Sequence, residues 1–373
     1  MLKRRRLVVW LVVVVAFMLA AATGLPAIAG AKTGAGAQEK LKVAFIYVGP
    51  VGDAGWTYAH DLGRKYLEKQ LPYVETTFVE SVPEGADSER VLTELAQKGN
   101  KVIFATSFGY MDAVINVAKK FPNVVFEHCS GYKTAANVGT YFGRIEEPRY
   151  LSGMVAGKMT KKNLIGYVAA HPIPEVIRGI NAFTLGVLAV NPRAKVKVVW
   201  TNTWYDPASE KEAAKSLLDV GADVIAQHQD TPAPQQAAQE KGAFGIGYNS
   251  DMSGFAPKAV LTAPVWDWGP FYVDVVKRVK EGTWKSSQFW GSMAEKTVGL
   301  APMGSMVPED VKALVKKKQD QIMAGKFTIF DIFQGPLKDQ KGEIRVPAGK
   351  KMTGEEILGM SWFVQGVEGT IPK

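Results

Sequence analysis

The chain has 373 residues, 47% of them apolar and 10% aromatic, with a formal net charge of +9 and a single cysteine, Cys129. That length, with no long biased tract, is enough to bury one large core or two, about two domains in all. An internal disulfide is excluded, and the lysines are scattered apart from a run at 312–318 that reads as a solvated helix face, which argues against a nucleic-acid surface.

From the N-terminus, Lys3-Arg4-Arg5-Arg6 precedes an apolar run over residues 7–22 and the small-residue sites Ala27-Ile28-Ala29 and Ala35-Gly36-Ala37. A basic n-region, an h-region and an A-x-A pattern make an export signal, with a linker to about residue 37. The competing reading is an uncleaved anchor, because the apolar run is near the lower length for a membrane span; the small residues after it favour cleavage. No cysteine lies near that site, so the usual lipid anchor is not expected, and the mature protein should be exported, periplasmic or otherwise extracytoplasmic, and soluble. Losing those four basic residues lowers the net charge from +9 to +5.

Strand-like and helix-like patterns then alternate. Residues 42–49, 74–82, 101–107, 124–129 and 138–142 are rich in Val, Ile, Phe and Tyr and read as strands. Helical patterns at 57–70, 88–98 and 109–120 lie between the first four, closed by stop signals such as Gly99 or Pro122. This order predicts a parallel sheet covered on both faces. A second series follows: helix 146–160, then strands 164–170, 195–201, 224–229 and 244–249 separated by helices 175–189, 207–220 and 234–241. The fold class is therefore α/β with two parallel-sheet lobes, lobe 1 over 38–145 and lobe 2 over 146–261, the chain crossing between them near residues 141–148. Strand patterns at 260–265, 288–293 and 298–302 and helices at 270–280 and 308–323 are expected to return to both units. Part of 262–300 would complete lobe 1 and part of 300–373 lobe 2, while the tail from Lys338 reads as irregular.

The chemistry-bearing residues cluster at strand ends. Val48-Gly49-Pro50-Val51-Gly52-Asp53-Ala54-Gly55-Trp56 follows the first strand, at the edge where open α/β sheets bind ligands. Pro50 and the absence of G-x-G-x-x-G exclude a dinucleotide loop, and Asp53 at the positive end of the coming helix argues against an anionic ligand. A neutral planar ligand suits an aromatic ring beside polar groups; the bland alternative is that Asp53 caps the helix and Trp56 packs on a neighbouring loop. The pattern recurs with Ser107 and Phe108 after the third strand, and in the second unit with Asn202 and Trp204, Gln229, and Asp251. Trp266 follows the strand at 260–265. Rings of this kind stack on an aromatic base while amides and carboxylates read its edge. Trp200, Trp268 and Tyr110 read instead as core or rim.

No G-x-S-x-G, Walker A or H-E-x-x-H occurs. His60, His128, His171 and His228 are scattered and read as structural residues, so no catalytic centre, metal or cofactor is expected and the chain does not read as an enzyme.

The stretch from Lys42 to Trp56, the crossing segment from Gly139 to Gly153 with Tyr141 in it, Trp204-Tyr205-Asp206-Pro207-Ala208 and Tyr248-Asn249-Ser250-Asp251-Met252 together resemble the basic membrane protein (BMP) family, substrate-binding components of ABC importers related to purine nucleoside receptors. The resemblance implies a type I periplasmic-binding-protein fold whose two lobes close on a ligand, a membrane permease as partner and a monomer in solution. It also implies that Trp56 and Trp204 sandwich a purine, with Asp53 and Asp251 in the cleft. Family members that grip a ribose carry a lysine where this chain has Trp266-Asp267-Trp268. A bulky indole there favours a free nucleobase, adenine above all, over a nucleoside, with Asp53, Asn202, Gln229 or Asp251 matching the base edge. A sensory receptor with the same cleft is the alternative. An exported nucleoside hydrolase would need an acidic metal cluster, which acids interleaved with aromatics do not provide.

Overall fold

The computed structural model describes residues 39–372; the export signal expected over 1–37 lies outside the described residues. In chain order the first lobe is built from β1 (Leu41–Ile46), α1 (Trp56–Gln70), β2 (Val74–Val79), α2 (Ala86–Gln97), β3 (Val102–Ala105), α3 (Met111–Lys120), β4 (Val125–Cys129) and β5 (Val138–Gly143). The second contains α4 (Glu146–Met159), β6 (Leu164–Ala169), α5 (Pro174–Val190), β7 (Lys195–Trp200), α6 (Pro207–Asp219), β8 (Val224–His228), α7 (Ala233–Glu240), β9 (Phe244–Ile246) and β10 (Val260–Thr262). After these come β11 (Pro264–Trp266), α8 (Gly269–Lys280), β12 (Gln288–Gly291), β13 (Val298–Leu300), α9 (Glu309–Met323), α10 (Ile329–Ile332), β14 (Leu337–Lys338), β15 (Ile344–Val346), α11 (Gly354–Leu358) and β16 (Val367–Glu368).

Each lobe is a six-stranded parallel sheet, in the order β2-β1-β3-β4-β5-β12 and β16-β7-β6-β8-β9-β10. The central strands are apolar on both faces because helices cover both. In β1, Val43 and Phe45 enter one core and Ala44 and Ile46 another, all fully buried. Helix starts follow local chemistry: Asp206 accepts from the Ala208 and Ser209 N–H groups, and Pro207, which has no N–H to leave unpaired, opens α6.

The expected single strand over 260–265 is two strands. Val260–Thr262 completes the lobe 2 sheet beside β9, whereas Pro264–Trp266 turns away to pair antiparallel with β13. Pro264 has no N–H to give a continuing ladder, so the strand breaks there and the chain changes sheets. The tail from Lys338, expected to be irregular, completes a short hairpin and contributes one short helix, α11, and β16, the edge strand of lobe 2.

Helix α4 carries the chain out of lobe 1 and is buried on nearly every side. It lies so close to α5 that a Cβ on Gly153 would sit 2.0 Å from the Phe183 carbonyl oxygen, and one on Gly186 2.0 Å from that of Tyr150. Each of its buried charges has at least one partner, although Glu146 Oε2 and Arg149 Nε and Nη2 are left without a hydrogen bond among the described residues. Glu146 pairs with Arg178 at 2.6 Å, Glu147 accepts from the Met293 N–H at 2.8 Å, and Arg149 donates to the Gln227 carbonyl at 2.7 Å.

Candidate functional site

In each lobe the strand order reverses direction beside the first strand, between β1 and β3 and between β6 and β8, and a doubly wound sheet opens a crevice beyond the carboxyl ends at that point. The two crevices face each other around a slot of about 320 Å³. Lobe 1 contributes Val48 after β1, Trp56 at the start of α1, Ser107 and Phe108 after β3, and Ser130 after β4. Lobe 2 contributes Glu175 from the first turn of α5, Trp204 after β7, His228 and Asp230 around the end of β8, and Tyr248 after β9. A wider mouth of about 770 Å³ adjoins it, sharing Val48 and Trp204 and adding Glu84, His171 and Asn202.

The lobe 1 wall is held rigidly. The Trp56 indole donates to the Thr106 carbonyl at 2.7 Å, and its ring meets His60, Trp266 and Trp268 edge-on at 4.4, 5.6 and 6.0 Å. The Ser107 hydroxyl donates to Glu84 at 2.5 Å while its carbonyl accepts from His128 Nε2 at 2.7 Å.

The lobe 2 wall carries the charge. Glu175 lies 3.5 Å from His228 Nε2, and burial pushes the carboxyl up, only partly offset by Arg178 and Arg149. Burial, reinforced by the same two guanidiniums, pushes His228 well down, so the imidazole is neutral. Asp230 is pushed well up, first by burial and then by the carboxyls of Asp53 and Glu210. The Arg149 guanidinium lies 3.7 Å over the Tyr248 ring, fixing the floor, and Trp204 packs against His171 at 4.7 Å. Among the described residues, two buried atoms on this wall, His228 Nδ1 and the Tyr248 hydroxyl, have no hydrogen-bond partner.

Of the residues expected from sequence, Trp56, Ser107, Phe108 and Trp204 line the slot, and Asn202 lines its mouth. The others stand elsewhere. Asp53 caps α1: its carboxylate accepts from the N–H groups of Gly55, Thr57 and Tyr58 at 2.8, 2.8 and 2.9 Å, and burial still lifts it to about 6. Tyr141, on β5, points into the lobe 1 core, its hydroxyl 3.2 Å from that of Tyr272. Gln229 is fully buried and donates to the Thr201 hydroxyl at 2.5 Å. Asp251 is exposed and accepts from the Ser253 N–H at 2.9 Å, because the left-handed turn at Asn249 (φ 69°) swings the following residues outward. Trp266 stacks on Trp268 at 4.7 Å, behind the slot rather than in it. Glu175 gave no sequence signal beyond an acid in the first turn of a helix, where most such residues only complement the dipole.

The lobes touch around the slot. Ser250 donates to the Ala54 carbonyl, and Gly55 fits against the Asp230 backbone so closely that a Cβ there would lie 2.1 Å from the Asp230 carbonyl oxygen. Among the described residues, no group of three or more His, Cys, Asp or Glu side chains could hold a metal ion, and no helix is long and apolar enough to cross a membrane.

A family profile described as ABC transporter substrate-binding protein PnrA-like matches residues 40–328. A purine-binding protein of Brucella abortus is 50% identical over 338 residues, 90% of this chain and 95% of that one. A putative ABC transporter glucose-binding protein of Haloferax volcanii is 43% identical over 338 residues, 90% of this chain and 82% of that one. Among solved structures, an ABC transporter solute-binding protein of Aeropyrum pernix superposes with a TM-score of 0.68 over 77% of this chain and 92% of that one, at 20% identity.

Proposed function

This chain belongs to the PnrA-like family of ABC transporter substrate-binding proteins, and from that premise we propose that it captures a purine nucleobase, adenine in particular, in the interlobe slot and presents it to a membrane permease. The observation that carries the reading is the pairing of Trp56 from lobe 1 with Trp204 from lobe 2 across a narrow slot whose other groups are mostly aromatic, hydroxyl or neutral at their exposed edges. A flat heterocycle between rings gains about 1–3 kcal/mol per stacked face. None of the ten lining residues is a lysine or arginine, so an anionic solute has no counter-charge there.

Binding and closure are one event in this geometry. Rings on opposite lobes reach the same ligand only when the lobes are together, and the Ser250–Ala54 bond and the Gly55–Asp230 contact form in that state. The ligand favours the closed form because only that form offers both faces. Trp266, the residue that favoured a free base over a nucleoside, stacks on Trp268 outside the slot lining, so titration with both ligands decides between them. Export by the N-terminal signal completes the reading, placing the receptor on the outer side of the membrane.

Calorimetric titration of the purified protein with adenine, adenosine and glucose tests it. Adenine should bind most tightly. Adenosine binding more tightly than adenine would overturn the base-first reading, and glucose alone binding would overturn the purine reading and point to the chemistry named for the Haloferax relative.

A further inference from the structure

Asp230 is the slot-lining carboxyl whose protein partner is best defined. The Trp266 indole N–H, which can only donate, points at Asn249 Oδ1 at 2.9 Å. That fixes the Asn249 amide: its other end, Nδ2, must donate, and it lies 3.1 Å from Asp230 Oδ1. Oδ1 is thereby committed to accepting, while Oδ2 has no hydrogen-bond partner among the described residues. A proton held by this carboxyl therefore sits on Oδ2.

The surroundings favour holding one. Asp230 is 4% exposed and is faced by carboxyls from three other elements: Asp53 in the β1–α1 loop of lobe 1, Glu210 on α6, and Glu175 on α5. The guanidiniums of Arg149 and Arg178 bear on Glu175 and His228 instead, and His228, on the same strand end, is neutral. A buried carboxylate among like charges with no cation beside it is neutralised by protonation.

We propose that Asp230 is the specificity-determining residue of the slot: a neutral carboxyl with its donor edge (Oδ2–H) and acceptor edge (Oδ1) set by the Trp266–Asn249 relay, selecting 6-aminopurines over 6-oxopurines. This rests on the purine reading above. Adenine presents a ring-nitrogen acceptor beside an amino donor, the complement of a fixed donor–acceptor fork. In the same pose a 6-oxopurine presents either two acceptors or the pair in reverse order, leaving a buried polar group unmatched. Trp266, expected to touch the ligand, acts through Asn249 as a positioning residue. The direction of titration agrees, since burial and the facing carboxyls raise Asp230. Ionisation at higher pH removes the donor and weakens adenine.

The test is calorimetric titration of adenine and hypoxanthine into the full protein and its Asp230→Asn variant at about pH 6, where both bases are neutral. In the native protein adenine should bind at least about tenfold more tightly than hypoxanthine. Asp230→Asn keeps a neutral fork of the same shape, so it should retain adenine to within about threefold and keep the discrimination against hypoxanthine. Equal affinity for the two bases, or an Asp230→Asn variant that loses adenine at pH 6, overturns the assignment of Asp230. Failure of both bases to bind the native protein overturns the purine reading itself.

Discussion

The two walls of the slot are built differently. On lobe 1, Trp56 is part of the core, 8% exposed, anchored by its N–H and pressed by three neighbouring rings. On lobe 2, Trp204 sits in a loop after β7, half-buried against His171, while every slot-lining titratable carboxyl and imidazole belongs to this side. One wall is a platform that comes with the fold of its lobe; the other carries polar groups on strand ends and on the first turn of α5. On the proposed function, affinity would be inherited from packing on lobe 1 and identity set on lobe 2 without disturbing a core.

Substitution tests this asymmetry most directly. Trp56→Ala should cost about 3–5 kcal/mol of stability, as for other buried large-to-small changes, together with ligand binding, visible as a lower denaturation midpoint. If that variant is as stable as the native protein, the platform description of lobe 1 is wrong. Gly55→Ala should leave Tm in place and weaken binding by about a hundredfold, roughly 2.7 kcal/mol, because the added methyl meets the Asp230 backbone only when the lobes close. Trp204→Ala should weaken adenine by about 1–3 kcal/mol with stability changed by less than about 0.5 kcal/mol. A Tm loss matching that of Trp56→Ala would erase the contrast.

The smallest effect is on pH. Burial lifts Glu127, Glu147 and Glu210 to about 7. An acid raised on folding gives stability that is present below its ordinary value of 4.5 and lost as pH climbs through about 7. Buried His60, His128 and His228 are pushed down and act oppositely, but their contribution is complete above their ordinary 6.5. Between pH 6.5 and pH 8 only the carboxyl contribution still changes, so Tm should fall there. Glu127→Gln keeps the Trp284 hydrogen bond and should reduce that fall without altering ligand binding, since Glu127 is confined to lobe 1. Glu210→Gln should reduce it and also move the pH dependence of binding, because Glu210 faces Asp230.

Much of the architecture was legible in the sequence, since apolar runs of strand length alternating with amphipathic helices leave little choice but covered parallel sheets. What it obscured depended on turns and on partners distant in sequence. Pro264 splits a run that composition alone reads as continuous. At the site, the strand-end aromatics Trp56 and Trp204 do line the slot between the lobes. The acids were harder. Asp53 is absorbed by the helix it precedes, Asp251 turns outward after one left-handed residue, and Glu175 and Asp230 face the ligand space by virtue of contacts reaching across the whole chain.

Neither sheet is finished by its own half of the polypeptide. Strand β12, at residues 288–291, closes the lobe 1 edge beside β5, and β16, at 367–368, closes lobe 2 beside β7. The last segment, beyond the 40–328 span shared with the family profile, is clasped by Asn181, which donates to the Trp362 carbonyl at 2.7 Å and accepts from the Val364 N–H at 2.9 Å. During synthesis, then, the margins at β5 and β7 stay unsealed until nearly the whole message has been read. A nascent chain stalled early would expose both, so this protein is committed to folding late.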